Sequence, residues 1–390
     1  MKKVNPMLVI LLLVVMAGCG GDSKQSTDDV ITVDVTKSYP KKELMLQDFM
    51  DVEYIPLETN DDFVTQGTVM DVGREIILVR NARDGDIFIY DRNGKGIRKI
   101  NRRGQGGEEY LMIINLILDE DNEEMFVNDG PSSKIIVYDL DGNFKRSIRY
   151  KEGALVDNMY NYDREHLICQ DNFAPAPGFE MDSHSNSFFL ISKQDGSIKE
   201  VEIPFKKKIS KTLIAQNEQG MIFATSPRNS LITPFQHNWL LTEPSSDTVF
   251  MYLPDHSITP FIIRTPSIQS MDPEIFLFPG VLTDRYCFME SVKKEYDFET
   301  QTGLPSKKLM YDKQDKTTYE YTVLNDDYKE RTENMSLRTL NDEIAFFDRL
   351  EAYQLVEAYG KGQLKGRLKE IAAELDEEDN PVIMLVKSKK

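Results

Sequence analysis

The chain has 390 residues and is acidic, with 65 aspartates and glutamates against 47 lysines and arginines and a net charge of −18. A protein with this charge repels the phosphates of nucleic acids, so the composition excludes a DNA- or RNA-binding protein. The part that follows the N-terminal segment, about 360 residues, is longer than one hydrophobic core usually serves. This length predicts two domains or one repetitive architecture.

The N-terminal segment has the pattern of an export signal. A basic start (Met1–Lys3) and an apolar run (Leu8–Met16) lead through small residues to Cys19. The run is too short to span a bilayer and has the flanks of a cleaved signal. The residues before the cysteine resemble a bacterial lipobox, which predicts a signal peptide over residues 1–18, lipidation of Cys19 and a flexible polar tether over residues 19–30. An uncleaved anchor or a chance cysteine are the alternatives.

Lipidation would attach the protein to a membrane without a basic surface, because several acyl chains bury enough methylene groups. Loss of residues 1–18 removes two lysines and no acidic residue, so the mature charge is −20. No aspartate follows Cys19 directly. By analogy with other lipoproteins we expect an outer-membrane lipoprotein, with the periplasmic and the cell-surface orientation both open.

A β-hairpin pattern recurs downstream of the tether. A β-rich run ends in a turn of the Asn/Asp/Gly type, and in the clearer copies a second β-rich run follows. Asn-Gly and Asp-Gly accept the positive φ angles that a tight turn requires. The five copies are Ile87–Gly94, Ile135–Gly142, Phe188–Gly196, Val249–Asp255 and Lys308–Asp315.

The hairpins belong to a longer period. Further strands are predicted before the first two hairpins, at Glu75–Arg80 and Glu124–Asn128. Four strands in a period near 50 residues are typical of a β-propeller blade. A pair of β-sandwiches with similar hairpins is the alternative.

Both ends of the chain supply a sixth blade. It is predicted from the N-terminal strands Ile31–Val35 and Glu53–Leu57 and from a closing strand over residues 381–387. Joining the two ends in one blade would close the ring and remove the exposed sheet edge.

The stretch before the closing strand departs from the β pattern. Apolar residues from Leu364 to Leu375 recur at helical spacing, and Phe347–Val356 carries a similar pattern. We predict a helical insertion over about residues 342–377 that packs on the ring. The expected fold class is all-β, a six-bladed β-propeller over residues 31–390 with a C-terminal α-helical insertion before the closing strand.

Three segments carry a family resemblance: Val52–Thr59, Arg103–Tyr110 and Asn380–Leu385. They resemble the six-bladed β-propeller lipoproteins of Bacteroidota, relatives of NHL-type propellers. Gly107 stands where this family usually has proline, and Glu108 where it usually has glycine. The resemblance implies the propeller fold, no settled biochemical activity, and a link with outer-membrane uptake of polysaccharides or peptides.

The glycine-rich loop is the densest unusual feature. It is not a nucleotide-binding fingerprint, because glutamate occupies the third glycine position and no helix pattern follows. In a binding loop the arginines and the glutamine would donate to a carboxylate or a sugar hydroxyl, and the tyrosine would offer a stacking surface. We favour the structural alternative, a blade connection locked by the glutamate or the tyrosine. The candidate residues are Arg102, Arg103, Gln105, Glu109 and Tyr110.

Aromatic residues mixed with amides and cations in predicted connections favour recognition of sugars. Sugars present flat CH faces that stack on rings, and hydroxyl groups that bond amides and guanidinium groups. Each such residue taken alone favours ordinary packing, but together they predict a funnel around the central channel. These candidates are Asn172, Trp239, Arg285 and Tyr286.

The sequence gives little support for a metal site, a catalytic motif or a disulfide. The four histidines lack metal-binding spacing, and the acidic run Asp119–Glu124 lacks the glycine of a calcium loop, so we expect neither a metal nor another cofactor. No catalytic motif is present. Cys169 and Cys287 lie far apart in apolar stretches, which favours two buried free thiols over a disulfide.

The sequence therefore favours a lipid-anchored envelope protein that binds a glycan or a peptide, or acts as a scaffold, in contact with an outer-membrane transporter complex. A hydrolase or lyase with its active site at the mouth of the channel is the first alternative, and a purely structural partner of a transporter is the second. A pocket at that mouth with two carboxylates would favour the enzyme, and an apolar plug would exclude it.

Overall fold

The hairpin repeat folds into antiparallel sheets arranged in a ring, in a computed structural model that describes residues 30–389 apart from 151–153, 172–185 and 218–219. The predicted signal peptide, Cys19 and the candidate Asn172 lie outside the described residues. In the described part of the chain, no helix is long and apolar enough to cross a membrane.

The first elements lead to the first four-stranded blade. The N-terminal elements are β1 (Ile31–Asp34), β2 (Lys41–Met45), α1 (Leu46–Phe49) and β3 (Met50–Pro56). Blade one consists of β4 (Thr68–Val72), β5 (Ile76–Arg80), β6 (Ile87–Asp91) and β7 (Gly96–Ile100).

The next two blades repeat this order of strands, from the channel outwards. Blade two consists of β8 (Asn115–Asp119), β9 (Glu124–Asp129), β10 (Lys134–Asp139) and β11 (Phe144–Arg149). Blade three consists of β12 (Val156–Asn161), β13 (His166–Asp171), β14 (Phe188–Ser192) and β15 (Ile198–Val201). A separate hairpin follows, with β16 (Leu213–Gln216) and β17 (Ile222–Thr225).

Blades four and five are larger. Blade four has β18 (Ile232–Phe235), β19 (Asn238–Leu241), β20 (Thr248–Tyr252) and β21 (Ile258–Thr265). Blade five begins with β22 (Ile275–Leu282) and β23 (Tyr286–Lys293), and a small hairpin follows, with β24 (Tyr296–Asp297) and β25 (Thr302–Gly303). The blade continues with β26 (Ser306–Asp312), β27 (Thr317–Leu324) and the short β28 (Thr332–Glu333).

Blade six contains β29 (Ile344–Leu350) and β30 (Val382–Ser388), with α2 (Ala352–Gly360) and α3 (Gly366–Ala372) between them. β30 pairs with β29 on one side and with the N-terminal β3 on the other. The ends of the chain therefore close the ring, and the predicted six-bladed propeller with a C-terminal helical insertion is confirmed.

Two details of the predicted fold are wrong, namely the place of the first strand and the start of the helical insertion. β1 does not join blade six, but lies parallel to β21 at the outer edge of blade four, and β2 lies parallel to β27 at the outer edge of blade five. The residues 344–350 form a strand rather than the start of the helical insertion. The spacing of Phe347 and Leu350 fits a helix, but the ladder with β30 overrides this local pattern.

The innermost position of blade six is taken by an irregular segment, residues 334–340. Leu340 N donates to Ile344 O, so the segment turns back into β29. Val281 N of blade five donates to Met335 O. Gly280 permits this approach, because a Cβ there would lie 2.2 Å from Met335 O. The segment lines the channel in place of a regular inner strand.

Apolar side chains fill the spaces between neighbouring blades. In the described part of the chain they form six clusters, one of which holds Leu355 of α2, Leu368 of α3 and the intervening Leu364 against blades five and six. Cys169 and Cys287 are buried in two different clusters and are free thiols, as predicted. Burial raises the pKa of both thiols, that of Cys287 to about 12, so both stay uncharged at neutral pH.

The glycines of the repeat join neighbouring blades. Gly94, Gly142 and Gly196 all have a φ near +80° at the turn after the third strand of their blade, and each lies against the outer strand of the preceding blade. At Gly94 a Cβ would lie 2.0 Å from the carbonyl oxygen of Pro56, and Gly94 O accepts a hydrogen bond from Glu58 N. These turns therefore need glycine both for the backbone angle and for the contact between blades.

We expect Gly94→Ala to lower the free energy of unfolding by at least about 2 kcal/mol, because a Cβ is strained at positive φ and would also overlap the Pro56 carbonyl. Urea unfolding followed by circular dichroism measures the loss. Gly107→Ala is the matched control, since a Cβ there meets nothing within 4 Å. Equal stability of the two variants would contradict the role given to the turn.

Candidate functional site

The turns that follow the inner strands surround a depression of about 490 Å³, which we call the mouth pocket. Blades one, two, three, four and six contribute to its wall. A volume of this size falls in the range of small-molecule sites. The side chains that matter for its chemistry are Asp71, Tyr160, Asn161, Trp239, Arg338 and Asn341.

Asp71 lies at a bulge near the end of β4, where the ladder with β5 is irregular. Its Oδ2 accepts a hydrogen bond from Leu118 N at 2.8 Å, and its Oδ1 accepts one from Val72 N at 2.9 Å. Burial raises the pKa of Asp71 to about 6, against the lowering effect of these bonds and of the Arg338 charge. A carboxyl group with a raised pKa in a cleft is typical of a functional site.

Arg338 forms the floor of the pocket. It extends from the inner segment of blade six to blade three, where its Nε donates to the Tyr160 hydroxyl at 3.0 Å and a terminal nitrogen donates to Met159 O at 2.9 Å. The guanidinium carbon lies 4.4 Å from the centre of the Tyr160 ring, a cation–π distance. A guanidinium group and an aromatic ring therefore line this side of the mouth pocket together.

Trp239 forms the aromatic side of the wall. It is partly buried in β19, and its ring centre lies 5.5 Å from that of Tyr160 and 6.0 Å from that of Tyr162. These contacts hold the indole in a fixed place while part of it remains exposed at the pocket. Trp239 is also the only tryptophan of the chain, so its fluorescence reports on this pocket alone.

Several carboxylates of the wall have structural partners. Glu120 accepts hydrogen bonds from the backbone N atoms of Arg74, Glu75 and Ile76, which joins blade two to blade one. The buried Lys193 donates to Asp119 Oδ2 and to Asn161 Oδ1, both at 2.6 Å. The first two residues of the acidic run Asp119–Glu124 are therefore held by structural partners.

The turn residues Gln236 and His237, with their partners Asp284 and Asp342, form a bridge across the mouth. Gln236 and His237 both have positive φ, at 51° and 60°, in the turn between β18 and β19. His237 contacts Asp342 of blade six twice, through its backbone N at 2.9 Å and its ring Nδ1 at 2.8 Å. Gln236 Nε2 donates to Asp284 of blade five at 3.0 Å. Such backbone angles are costly without glycine, and these contacts hold the turn in place.

A second depression, the side pocket, lies beyond this bridge and has a volume of about 410 Å³. Phe49, Phe235 and Arg285 are among its lining residues. Arg285 is half exposed at the rim, and its Nε and a terminal nitrogen donate to the buried carboxylate of Asp312. The two pockets share His237, Asn341 and Asp342.

The family described as "Domain of unknown function (DUF4934)" matches residues 30–387. The chain belongs to this family. No curated protein matches the chain.

The chain is also similar to solved structures. A protein of Bacteroides fragilis NCTC 9343, described as a "putative exported protein", is similar over 93% of this chain and 100% of its own, at 15% identity and a TM-score of 0.58. A DUF4221 family member from Bacteroides vulgatus ATCC 8482 has 8% identity, covers 87% and 98% of the two chains, and has a TM-score of 0.45. A virginiamycin B lyase from Staphylococcus aureus has 11% identity, covers 71% and 94%, and has a TM-score of 0.33.

The glycine loop, with the candidates Arg102 to Tyr110, lies apart from the mouth in this DUF4934 chain. Tyr110 is fully buried, and its hydroxyl donates to Gly85 O at 2.7 Å, so its ring offers no stacking surface to a ligand. Glu109 accepts a hydrogen bond from Gly106 N, which locks the loop. Arg102 and Arg103 donate to the carbonyls of Gly142 and Arg83, and Gln105 is exposed.

Of the aromatic candidates, the structure places Trp239 in the mouth pocket and Arg285 in the side pocket. Tyr286 is buried against Phe49 and lines neither. Sequence reasoning missed Asp71 and Arg338. The one available signal for Asp71 is a carboxylate inside the otherwise apolar run Val69–Val72.

We expect Asp71 to make folding pH-dependent. Its pKa rises from the ordinary value of 3.8 to about 6 in the folded protein, so its contribution to stability is complete below about pH 4 and is lost as the pH rises through about 6. Relative to Asp71→Asn, the wild-type free energy of unfolding should fall by about 1–3 kcal/mol between these limits. Urea unfolding of both proteins across this range measures the difference, and parallel profiles would contradict it.

Proposed function

We propose that the protein is a lipid-anchored envelope propeller that binds a glycan in the mouth pocket. The observation that carries this proposal is the placement of the partly exposed Trp239 beside Asp71, Asn341 and the Arg338 floor. An aromatic ring suits the CH face of a sugar, and the amide, carboxylate and guanidinium groups suit its hydroxyls.

The charge of the pocket favours a neutral or amine-bearing sugar over an anionic ligand. Six carboxylates line it, against two arginines and His237. Of the two arginines, Arg74 is already paired with Glu120 and Asp121. A phosphate or a uronic acid would therefore meet an excess of negative charge.

The envelope location is supported by the N-terminal pattern that ends at Cys19 and by the similarity to the Bacteroides fragilis protein described as exported. A propeller anchored there would present a captured glycan to an outer-membrane transporter complex. Affinity purification of the full chain from the native envelope tests this partner, and recovery of the chain without any transporter would contradict it.

Glycan binding is tested first on an array of neutral, amine-bearing and acidic oligosaccharides with the purified full chain. We expect binding to neutral or amine-bearing members and a change of Trp239 fluorescence on titration with the bound sugar. Absence of binding to every oligosaccharide on the array, or binding without any change of Trp239 fluorescence, would contradict the proposal.

Trp239→Ala should weaken binding of that sugar at least tenfold by calorimetry, because the variant removes the stacking surface. Trp239→Phe keeps a ring against Tyr160 and should lose less. Tyr353→Ala is the control, since Tyr353 is an exposed aromatic of α2 outside the pocket and its loss should leave the affinity unchanged. Equal affinity of Trp239→Ala and wild type would exclude the mouth pocket as the site.

A second candidate function, a hydrolase or lyase, is favoured by the raised pKa of Asp71. A carboxyl group that is still partly protonated near pH 6 suits general acid catalysis on a glycosidic bond. If the protein is such an enzyme, incubation of the bound oligosaccharide with wild type should release reducing ends, and Asp71→Asn should abolish release while binding persists. Release at an equal rate by both would exclude Asp71 as the acid.

A further inference from the structure

The mouth pocket and the side pocket are adjacent. They share His237, Asn341 and Asp342, and together they follow the turns of all six blades around the end of the channel. Each has a volume of more than 400 Å³. The contact between His237 and Asp342 therefore lies where the two depressions meet.

We infer that the two pockets form one groove with two subsites for an oligosaccharide, and that His237 is the specificity-determining residue where the sugar chain passes from one subsite to the other. The inference rests on the glycan-binding function proposed above. It adds that the ligand is a chain longer than either pocket holds, rather than a single sugar or a disaccharide.

The exposure of His237 supports this role. Its side chain is 92% exposed, although it is fixed at both ends by Asp342. A side chain held over a groove in this way is preorganised for a ligand, so little conformational entropy is lost on binding. The positive φ angles of Gln236 and His237 belong to the two-residue turn between β18 and β19, and both side chains are exposed.

The charges of the two halves differ. The mouth pocket has the excess of carboxylates described above, whereas the side pocket has two, Asp284 and Asp342, against the cations Arg285 and Lys389. Aromatic side chains are present on both sides, with Trp239 in the mouth pocket and Phe49 and Phe235 in the side pocket. Stacking surfaces on both sides of the bridge suit successive sugar rings of one chain, and a neutral chain tolerates the change of charge.

The test uses the full chain and ladders of cello-, xylo-, manno- and chito-oligosaccharides from one to six units, followed by Trp239 fluorescence and calorimetry. For the ladder that binds, wild-type affinity should rise at least tenfold between the disaccharide and the hexasaccharide. His237→Ala should remove most of this gain, while the disaccharide affinity should fall by a much smaller factor. Asp342→Ala, which frees the histidine, should act in the same direction.

Two controls separate the outcomes. Phe235→Ala in the side pocket should also reduce the affinity for the hexasaccharide alone, and Tyr353→Ala should change neither affinity. An affinity that does not depend on chain length, or an equal loss for disaccharide and hexasaccharide in His237→Ala, would overturn the two-subsite groove while leaving glycan binding intact. Absence of binding by every saccharide would instead refute the proposed function.

Discussion

The pairing of β3 with β30 is the contact on which the ring depends. Seven residue pairs join Met50–Pro56 to Val382–Ser388, so the two ends of the propeller domain fold as one sheet. Without this ladder blade six would keep only the pair β29–β30 and an exposed edge, and isolated two-stranded sheets are marginally stable. The Gly94 turn of blade one also packs against Pro56 at the end of β3, so β3 joins blade six to blade one as well.

The candidate site depends on this closure. The irregular segment 334–340 lies between blades five and one only when blade six is complete; it supplies Arg338 to the mouth, and Asn341 follows it directly. Arg338 then reaches across to Tyr160 of blade three. Because the floor comes from one blade and its anchor from another, the pocket exists only in the closed ring.

The charged groups at the mouth serve two purposes. Glu120 accepts hydrogen bonds from backbone N atoms, and Asp119 accepts one from the buried Lys193. These bonds fix the turns that form the wall. Asp71 is different, because burial raises its pKa to about 6 in the wall of the mouth pocket. The bridge of His237 and Asp342 belongs to neither group, since it fixes an exposed side chain over a groove.

The sequence by itself determined the number of blades and their order, because Asn/Asp-Gly turns with a φ near +80° and apolar third strands are local features that recur in every clear copy. It also placed Trp239 among the recognition residues. Only the tertiary structure decided that β1 pairs with blade four, that 344–350 is a strand, and that Asp71 and Arg338 share a pocket with Trp239. Strand partners and pocket neighbours come from parts of the chain that are up to hundreds of residues apart, and no local pattern specifies which of them meet.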